Sequence, residues 1–251
     1  MVKYKKYKNF YDLGFQVFPG ILEDKEVDNY KQLLRRVYSN QVNDFTLEKL
    51  RKIGEENTCR SPFLEERQFV NIFYNDFSKT IIRDLLGEYA ILSLQNGIII
   101  PAKQEHHQGF YHRDIIHQNF TSSRPLSINL YYCLTDFSLE NGGTMFIPKS
   151  HEQEEIPENL CPIAPNVPAG SVIVFNSMVF HKAGTNKSTM DRIGINNMVS
   201  LPFVKQQIRY PHILKKTDDK DLNKLLGFES LEYLGVQEFR NHRLNRIRDE
   251  K

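Results

Sequence analysis

Two imidazoles and a carboxylate scattered along a chain can act together only if the fold makes them meet, and that demand constrains this sequence more than any other feature. His112 and Asp114 lie two residues apart, His181 follows far downstream, and Arg192 stands eleven positions beyond it. Two histidines and one carboxylate are the donor set that holds non-haem Fe(II) on one face and leaves its other positions open. In extended chain alternate side chains point the same way, so His112 and Asp114 share a face while Arg113 points elsewhere. His181 ends the apolar run 172–180, which reads as a buried strand leading to the metal, and Arg192 opens a second such run through Val199. The segment between them reads as a hairpin that sets guanidinium and imidazole in one cavity. There Arg192 is placed to grip the far carboxylate of 2-oxoglutarate with two parallel charge-assisted hydrogen bonds. Alone, a His-x-Asp pair describes many solvated strands; the distal histidine and the arginine make it a metal-site expectation.

Around these residues the chain changes character. After a basic start, residues 14–18 form a short strand, Asp24 to Tyr38 has helical periodicity, residues 40–62 are polar and partly irregular, and a second helix spans roughly Leu64 to Leu86 with Gly87 as its stop. Short strands dominate from there to Pro202, and 203–251 returns to helix and loop as an extension. Two helices followed by many short strands predict a mainly β protein, a double-stranded β-helix or jelly-roll barrel with its helices packed outside one sheet. Strand 126–135 illustrates the logic. Leu126, Ile128, Leu130, Tyr132 and Leu134 share the face suited to helices, while Ser127, Asn129, Tyr131 and Cys133 line the interior. At 251 residues the whole chain, 1–251, is expected to form a single domain with its core at about 12–202.

The chain resembles the phytanoyl-CoA dioxygenase family. The resemblance rests on the residues above together with the acidic Asn-Gly turn in 134–144, the Ile147-Pro148-Lys149-Ser150-His151 stretch and the Gly170-Ser171 lead into an apolar strand, and it runs from about Asp12 to Leu201. It implies the same cupin-like fold, Fe(II) held by His112, Asp114 and His181 as the catalytic and metal-binding set, and 2-oxoglutarate and O2 as co-substrates. The implied reaction is oxidative decarboxylation of 2-oxoglutarate to succinate and CO2, coupled to hydroxylation of an unactivated C–H bond. Asp114 separates the chain from related halogenases, which lack that carboxylate.

Further roles follow by position. Asn129 and Tyr131 are candidate 2-oxoglutarate contacts, Tyr131 standing where many relatives place a tryptophan, a residue this chain lacks. Thr144 matches a threonine, and Gln95 an amide, that some relatives direct at the cofactor; each also suits a polar residue merely satisfied inside the barrel. Ala183 replaces a serine of several relatives, so a hydroxyl contact is missing. Candidate substrate contacts are Tyr111, Arg113, Lys103 and Arg124, with Arg60 in another mouth loop. His106, His107 and His117 read as loop residues or substrate contacts rather than ligands, and the basic run 240–248 as a solvated helix face.

Composition excludes other classes. The formal charge of +2 gives no electrostatic case for nucleic acid. Cys59, Cys133 and Cys161 form no Cys-x-x-Cys pair and predict reduced thiols and a cytoplasmic location. No apolar stretch is long enough to cross a bilayer. Polar loops favour a small polar or anionic substrate. The rivals are a superfamily oxygenase acting on a macromolecule, against which stand the weak charge and Arg192 where prolyl hydroxylases carry lysine, and an inactive barrel that only binds.

Overall fold

The computed structural model describes residues 2–115, 121–159, 161–230 and 232–249. Two compact units divide it, residues 1–208 and 209–251. In chain order the first contains α1 (Val2–Lys6), α2 (Lys8–Leu13), β1 (Phe15–Phe18), α3 (Asp24–Phe45), α4 (Leu47–Lys52), β2 (Thr58–Arg60), α5 (Val70–Tyr74), α6 (Asp76–Leu85), β3 (Ile91–Ile100), β4 (Ser127–Cys133), β5 (Met145–Phe146), β6 (Val172–Asn176), β7 (His181–Lys182) and β8 (Arg192–Ser200). The second holds α7 (Lys220–Leu225) and α8 (Val236–Asp249).

The main sheet is fully antiparallel, in the order β1-β6-β4-β8-β3-β2. Opposite it β5 pairs with β7, and single bridges add His112 beside His181 on one flank and Ile163 beside Phe146 on the other. This is the double-stranded β-helix with helices on the outside of one sheet. Among the described residues no continuous ladder joins the two sheets, so the barrel is open rather than closed.

Side-chain alternation divides the main sheet's contents. Inward, Phe15, Ile98, Ile100, Tyr131, Cys133, Ile173 and Phe175 form one core with Phe146 from across the gap. Phe146 stacks on Phe15 at 4.4 Å and meets Phe175 edge-on at 5.2 Å between centroids. Outward, Tyr132 hydrogen-bonds Asn75 and Ser78 at the start of α6. Gly97 sets the helix–sheet distance: a Cβ there would stand 2.2 Å from Leu34 of α3, so a side chain would push the helix off the sheet.

Three expectations about elements change. The helix at 64–86 is broken, because Asn75 turns extended and its side chain accepts from the Ser78 N–H, capping α6 and ending α5. Gly87, at φ 94°, closes α6 as expected. The polar stretch 40–62 is more regular than expected, with α3 running to Phe45 and α4 and β2 following. The third change concerns 172–192. The run does not continue as one strand to His181: it turns at Asn176, whose Oδ1 accepts from the Met178 N–H, and His181 belongs to the smaller sheet. The segment 181–192 is therefore a crossing between sheets and not a hairpin.

Candidate metal and cofactor site

The two sheets meet at the residues of the sequence motif. His112 and His181 exchange both backbone hydrogen bonds at 3.0 Å, and the Asp114 N–H donates to Ser177 C=O at 3.0 Å. Main-chain pairing thus fixes three side chains drawn from distant parts of the chain. His112, Asp114 and His181 each offer a ligand atom within 4.8 Å of the others. Nε2 of His112 and of His181 stand 3.8 and 3.6 Å from the same Asp114 oxygen.

The tautomers are set from behind. Nδ1 of His112 faces Phe110 C=O and Nδ1 of His181 faces Val179 C=O, each at 3.0 Å. A carbonyl accepts only, so Nδ1 carries the proton and Nε2 presents its lone pair to the common centre. The His112 Nε2 is buried and has no hydrogen-bond partner within the protein, which fits a metal ligand. Burial lowers the His181 pKa, against the opposing pull of Asp114, which keeps that ring neutral and ligand-ready.

Asn129 braces the carboxylate. Its Nδ2 donates to Asp114 Oδ2 at 2.7 Å and to Ser177 Oγ at 2.9 Å, and its Oδ1 accepts from Asn196 Nδ2 at 2.8 Å. The expected direct contact with 2-oxoglutarate is thereby corrected: both amide hydrogens of Asn129 are already committed to orienting Asp114.

Arg192 lies 1 % exposed at the start of β8. Nη1 donates to Tyr131 Oη at 2.5 Å, and the guanidinium lies 4.4 Å from the Phe137 ring centroid. Its Nε has no hydrogen-bond partner, and it pairs with no carboxylate among the described residues. Gly194 makes room for this stack, since a Cβ there would meet the Tyr131 ring at 2.7 Å. Arg192, Tyr131 and Thr144 share the walls of a small inner cavity of about 50 Å³ with His112, Asp114 and His181. An outer cavity of about 580 Å³ shares Asn96, Gln108, His112, Asp114 and Asn196 with it and adds Arg60, Leu94, Met198 and Lys205.

Other expected contacts are placed differently. Gln95 faces the helices, and its amide is saturated by the Phe63 N–H, the Phe69 C=O and Asn197 Oδ1. The cause is a bulge between Leu92 and Leu94 in β3, which reverses the alternation and turns Asn96 inward in its place. Arg113, expected at substrate, does border the outer cavity, but it is 5 % exposed and its guanidinium points away from the ligands on either side of it. It donates to the carbonyls of Met178, Ser150, Gln153 and Glu154 and lies over the Phe180 ring, so it ties the ligand segment to the turn before β7 and the loop after β5. Tyr111 carries Lys182 over its ring, and neither it nor exposed Lys103 and Arg124 lines either cavity. Of the cations weighed from sequence, Arg60 and Arg113 border the outer cavity, Arg60 from β2 and Arg113 with its guanidinium already taken up by main-chain carbonyls.

His106 and His107 lie outside the ligand set, their rings 4.0 Å apart, and His117 falls outside the described residues. Burial, reinforced by His107 and Arg192, pushes the His106 pKa down to about 2. Asn96 and Asn196 were missed by sequence reasoning; their common signal is pairing across neighbouring strands, which the local sequence does not carry.

Fold and site together define a double-stranded β-helix protein with a facial His-Asp-His set. Within that class the chain belongs to the phytanoyl-CoA dioxygenase (PhyH) family, whose profile matches residues 10–194. Similar proteins include the uncharacterized protein Rv1501 of Mycobacterium tuberculosis, 29% identical over 209 residues that cover 80% of this chain and 77% of that one. Dioxygenase trt7 of Aspergillus terreus is 26% identical over 223 residues, 83% of this chain and 74% of that one. Among solved structures, EctD from S. alaskensis with 2-oxoglutarate and 5-hydroxyectoine has a TM-score of 0.65 at 16% identity, covering 80% of this chain and 77% of that one. The epimerase SnoN in complex with Fe3+, alpha ketoglutarate and nogalamycin RO has a TM-score of 0.63 at 15% identity, covering 88% and 93%. The structural likenesses establish the fold. No helix among the described residues is long and apolar enough to cross a membrane, and all three cysteines are free.

Proposed function

We propose that the protein is an Fe(II)- and 2-oxoglutarate-dependent dioxygenase that hydroxylates an unactivated C–H bond of a small polar or anionic metabolite. The observation that carries this reading is Arg192: a buried guanidinium with an unpartnered Nε and, among the described residues, no counter-charge, in one cavity with a His-Asp-His set. A buried cation without a counter-charge is costly, so the cavity calls for an anion. A dicarboxylate that chelates a metal at one end and meets a guanidinium at the other supplies it.

In this reading His112, Asp114 and His181 hold the iron through Nε2, a carboxylate oxygen and Nε2. Arg192 and the Tyr131 hydroxyl take the far carboxylate of 2-oxoglutarate, with Thr144 beside them. Asn129 holds Asp114 in the orientation the metal needs. Iron and 2-oxoglutarate with O2 supply the oxidising power, releasing succinate and CO2. The polypeptide supplies position: the ring pack of Phe146 and Phe175 against His181, at centroid distances of 6.0 and 4.8 Å, keeps that side dry. The other side opens on the outer cavity, whose volume falls in the range of about 300–1,000 Å³ usual for small-molecule sites. That favours a small molecule over a macromolecule. Succinate formation that requires Fe(II) and 2-oxoglutarate, and that is lost in His112→Ala, Asp114→Ala and His181→Ala, is the expected result. Near-full succinate formation by any of the three variants would overturn the assignment.

A further inference from the structure

The inner face of the main sheet carries a polar row that iron and 2-oxoglutarate leave unsatisfied. Arg60 of β2 is in register with Asn96 of β3, Asn96 with Asn196 of β8, and Asn196 with Tyr131 of β4. The orientation of Asn196 follows from its neighbours. Asn129 Nδ2 donates to the Asp114 carboxylate; Asn129 Oδ1 then accepts from Asn196 Nδ2, and Asn196 Oδ1 must face away. That oxygen is buried with no donor, and so is Asn96 Oδ1. Both residues wall the inner and the outer cavity, beside His112 and Asp114.

At neutral pH 2-oxoglutarate has two carboxylates and a keto oxygen, acceptors all. It can satisfy Arg192 but offers nothing to an amide oxygen. Two buried acceptors next to the ligands therefore answer to the other substrate. In the same row Arg60 keeps one guanidinium edge on Glu55, with Nε and Nη2 at 3.0 and 2.5 Å, and faces the outer cavity with the remainder. Two residues further along the strands Leu94 and Met198 pair and, with Ile115, add an apolar wall.

We propose that Asn96 and Asn196 form the subsite for a hydrogen-bond donor on the substrate. The substrate class is then a small carboxylate carrying a hydroxyl or ammonium group, its donor on the two amide oxygens and its carboxylate toward Arg60. Neighbouring strands stand about 4.8 Å apart, so groups a few bonds apart on one small molecule reach both. This rests on the dioxygenase reading above and deepens it.

The test titrates the anaerobic protein, loaded with Fe(II) and 2-oxoglutarate, with 3-hydroxybutyrate against butyrate and with β-alanine against propionate. Binding is read from the change in the 2-oxoglutarate-to-iron charge-transfer band. The donor-bearing acid of each pair is expected to bind about tenfold tighter, the value of one well-made hydrogen bond, and in Asn96→Leu that preference falls below about twofold. A second readout needs neither iron nor 2-oxoglutarate: Asn96→Leu removes an unpartnered buried acceptor and is expected to melt at or above the parent. Equal binding within the pairs, binding by neither acid, or a preference that survives Asn96→Leu overturns the proposal. So does a variant that fails to fold or melts more than about 5 °C below the parent, which would make Asn96 a structural amide. A parent that shows no band before any acid is added overturns the iron reading instead, and the melting comparison then still decides the role of Asn96.

Discussion

One residue along β3 and one along β8 separate two kinds of polar group. On the helix-covered face Gln95 and Asn197 bond each other at 2.8 Å and the neighbouring main chain, so their amides are used up holding α5 and the loop before it to the sheet. On the inner face Asn96 and Asn196 keep amide oxygens without donors, beside an unpartnered His112 Nε2 and an unpartnered Arg192 Nε. Residue types are alike on the two faces, but the first pair is fully buried and satisfied, whereas Asn96 and Asn196 are half-buried with their amide oxygens covered and unpaired. A saturated amide in a core is architecture, whereas unsaturated groups converging on one cavity mark the place where ligands complete the structure.

Substitutions should therefore trade stability on one face against ligand binding on the other. The largest effect is expected at Arg192→Ala. Losing the cation from a buried pair costs about 2–5 kcal/mol, so 2-oxoglutarate affinity should fall by roughly 30-fold or more while urea unfolding changes little. Gln95→Leu is the mirror image. It strips one bond from each of the Phe63 N–H, the Phe69 C=O and Asn197 Oδ1, and should cost about 2–4 kcal/mol in urea unfolding with 2-oxoglutarate affinity of the folded fraction intact. A loss of affinity without loss of stability would put Gln95 back at the cofactor. Asn129→Leu should weaken iron binding about 10- to 100-fold in a chelator competition, because Asp114 loses its orienting donor.

The smallest effect is one of pH. Burial lowers the pKa of His106, His107, His151 and His181, so in the folded protein they stay neutral when the unfolded chain begins to bind protons near pH 6.5. The unfolded state then holds more protons, and the stability of the metal-free protein falls as pH drops below about 6.5. His106, held down to about 2, should account for about 1 kcal/mol per pH unit of that slope between pH 6 and 5, removed in His106→Leu. An unchanged slope in the variant would show that His106 takes up a proton while folded.

What the sequence disclosed follows from how local each signal is. The shared face of His112 and Asp114 needs two residues of extended chain, and the inward turn of Asn129 and Tyr131 needs one uninterrupted strand; both were legible. The direction of Gln95 was not, because one inserted residue between Leu92 and Leu94 reverses all that follows. Arg113 looked available for substrate because its carbonyl partners lie 37 to 65 positions away in sequence. The pairing of Asn96 with Asn196 was hidden for the same reason, since strand register is settled by packing over the whole sheet. The turn at Asn176, which sends His181 into the second sheet, depends on one side-chain bond to the Met178 N–H.

The central claim is that three ligands and one arginine form a single site. It is tested most directly by anaerobic titration of the metal-free protein with Fe(II) and 2-oxoglutarate, following the visible metal-to-ligand charge-transfer band. The account predicts a band that saturates at one iron and one 2-oxoglutarate per chain, is absent in His181→Ala, and in Arg192→Ala needs roughly 30-fold or more higher 2-oxoglutarate. No band in the parent, or one of full strength in His181→Ala, would contradict it.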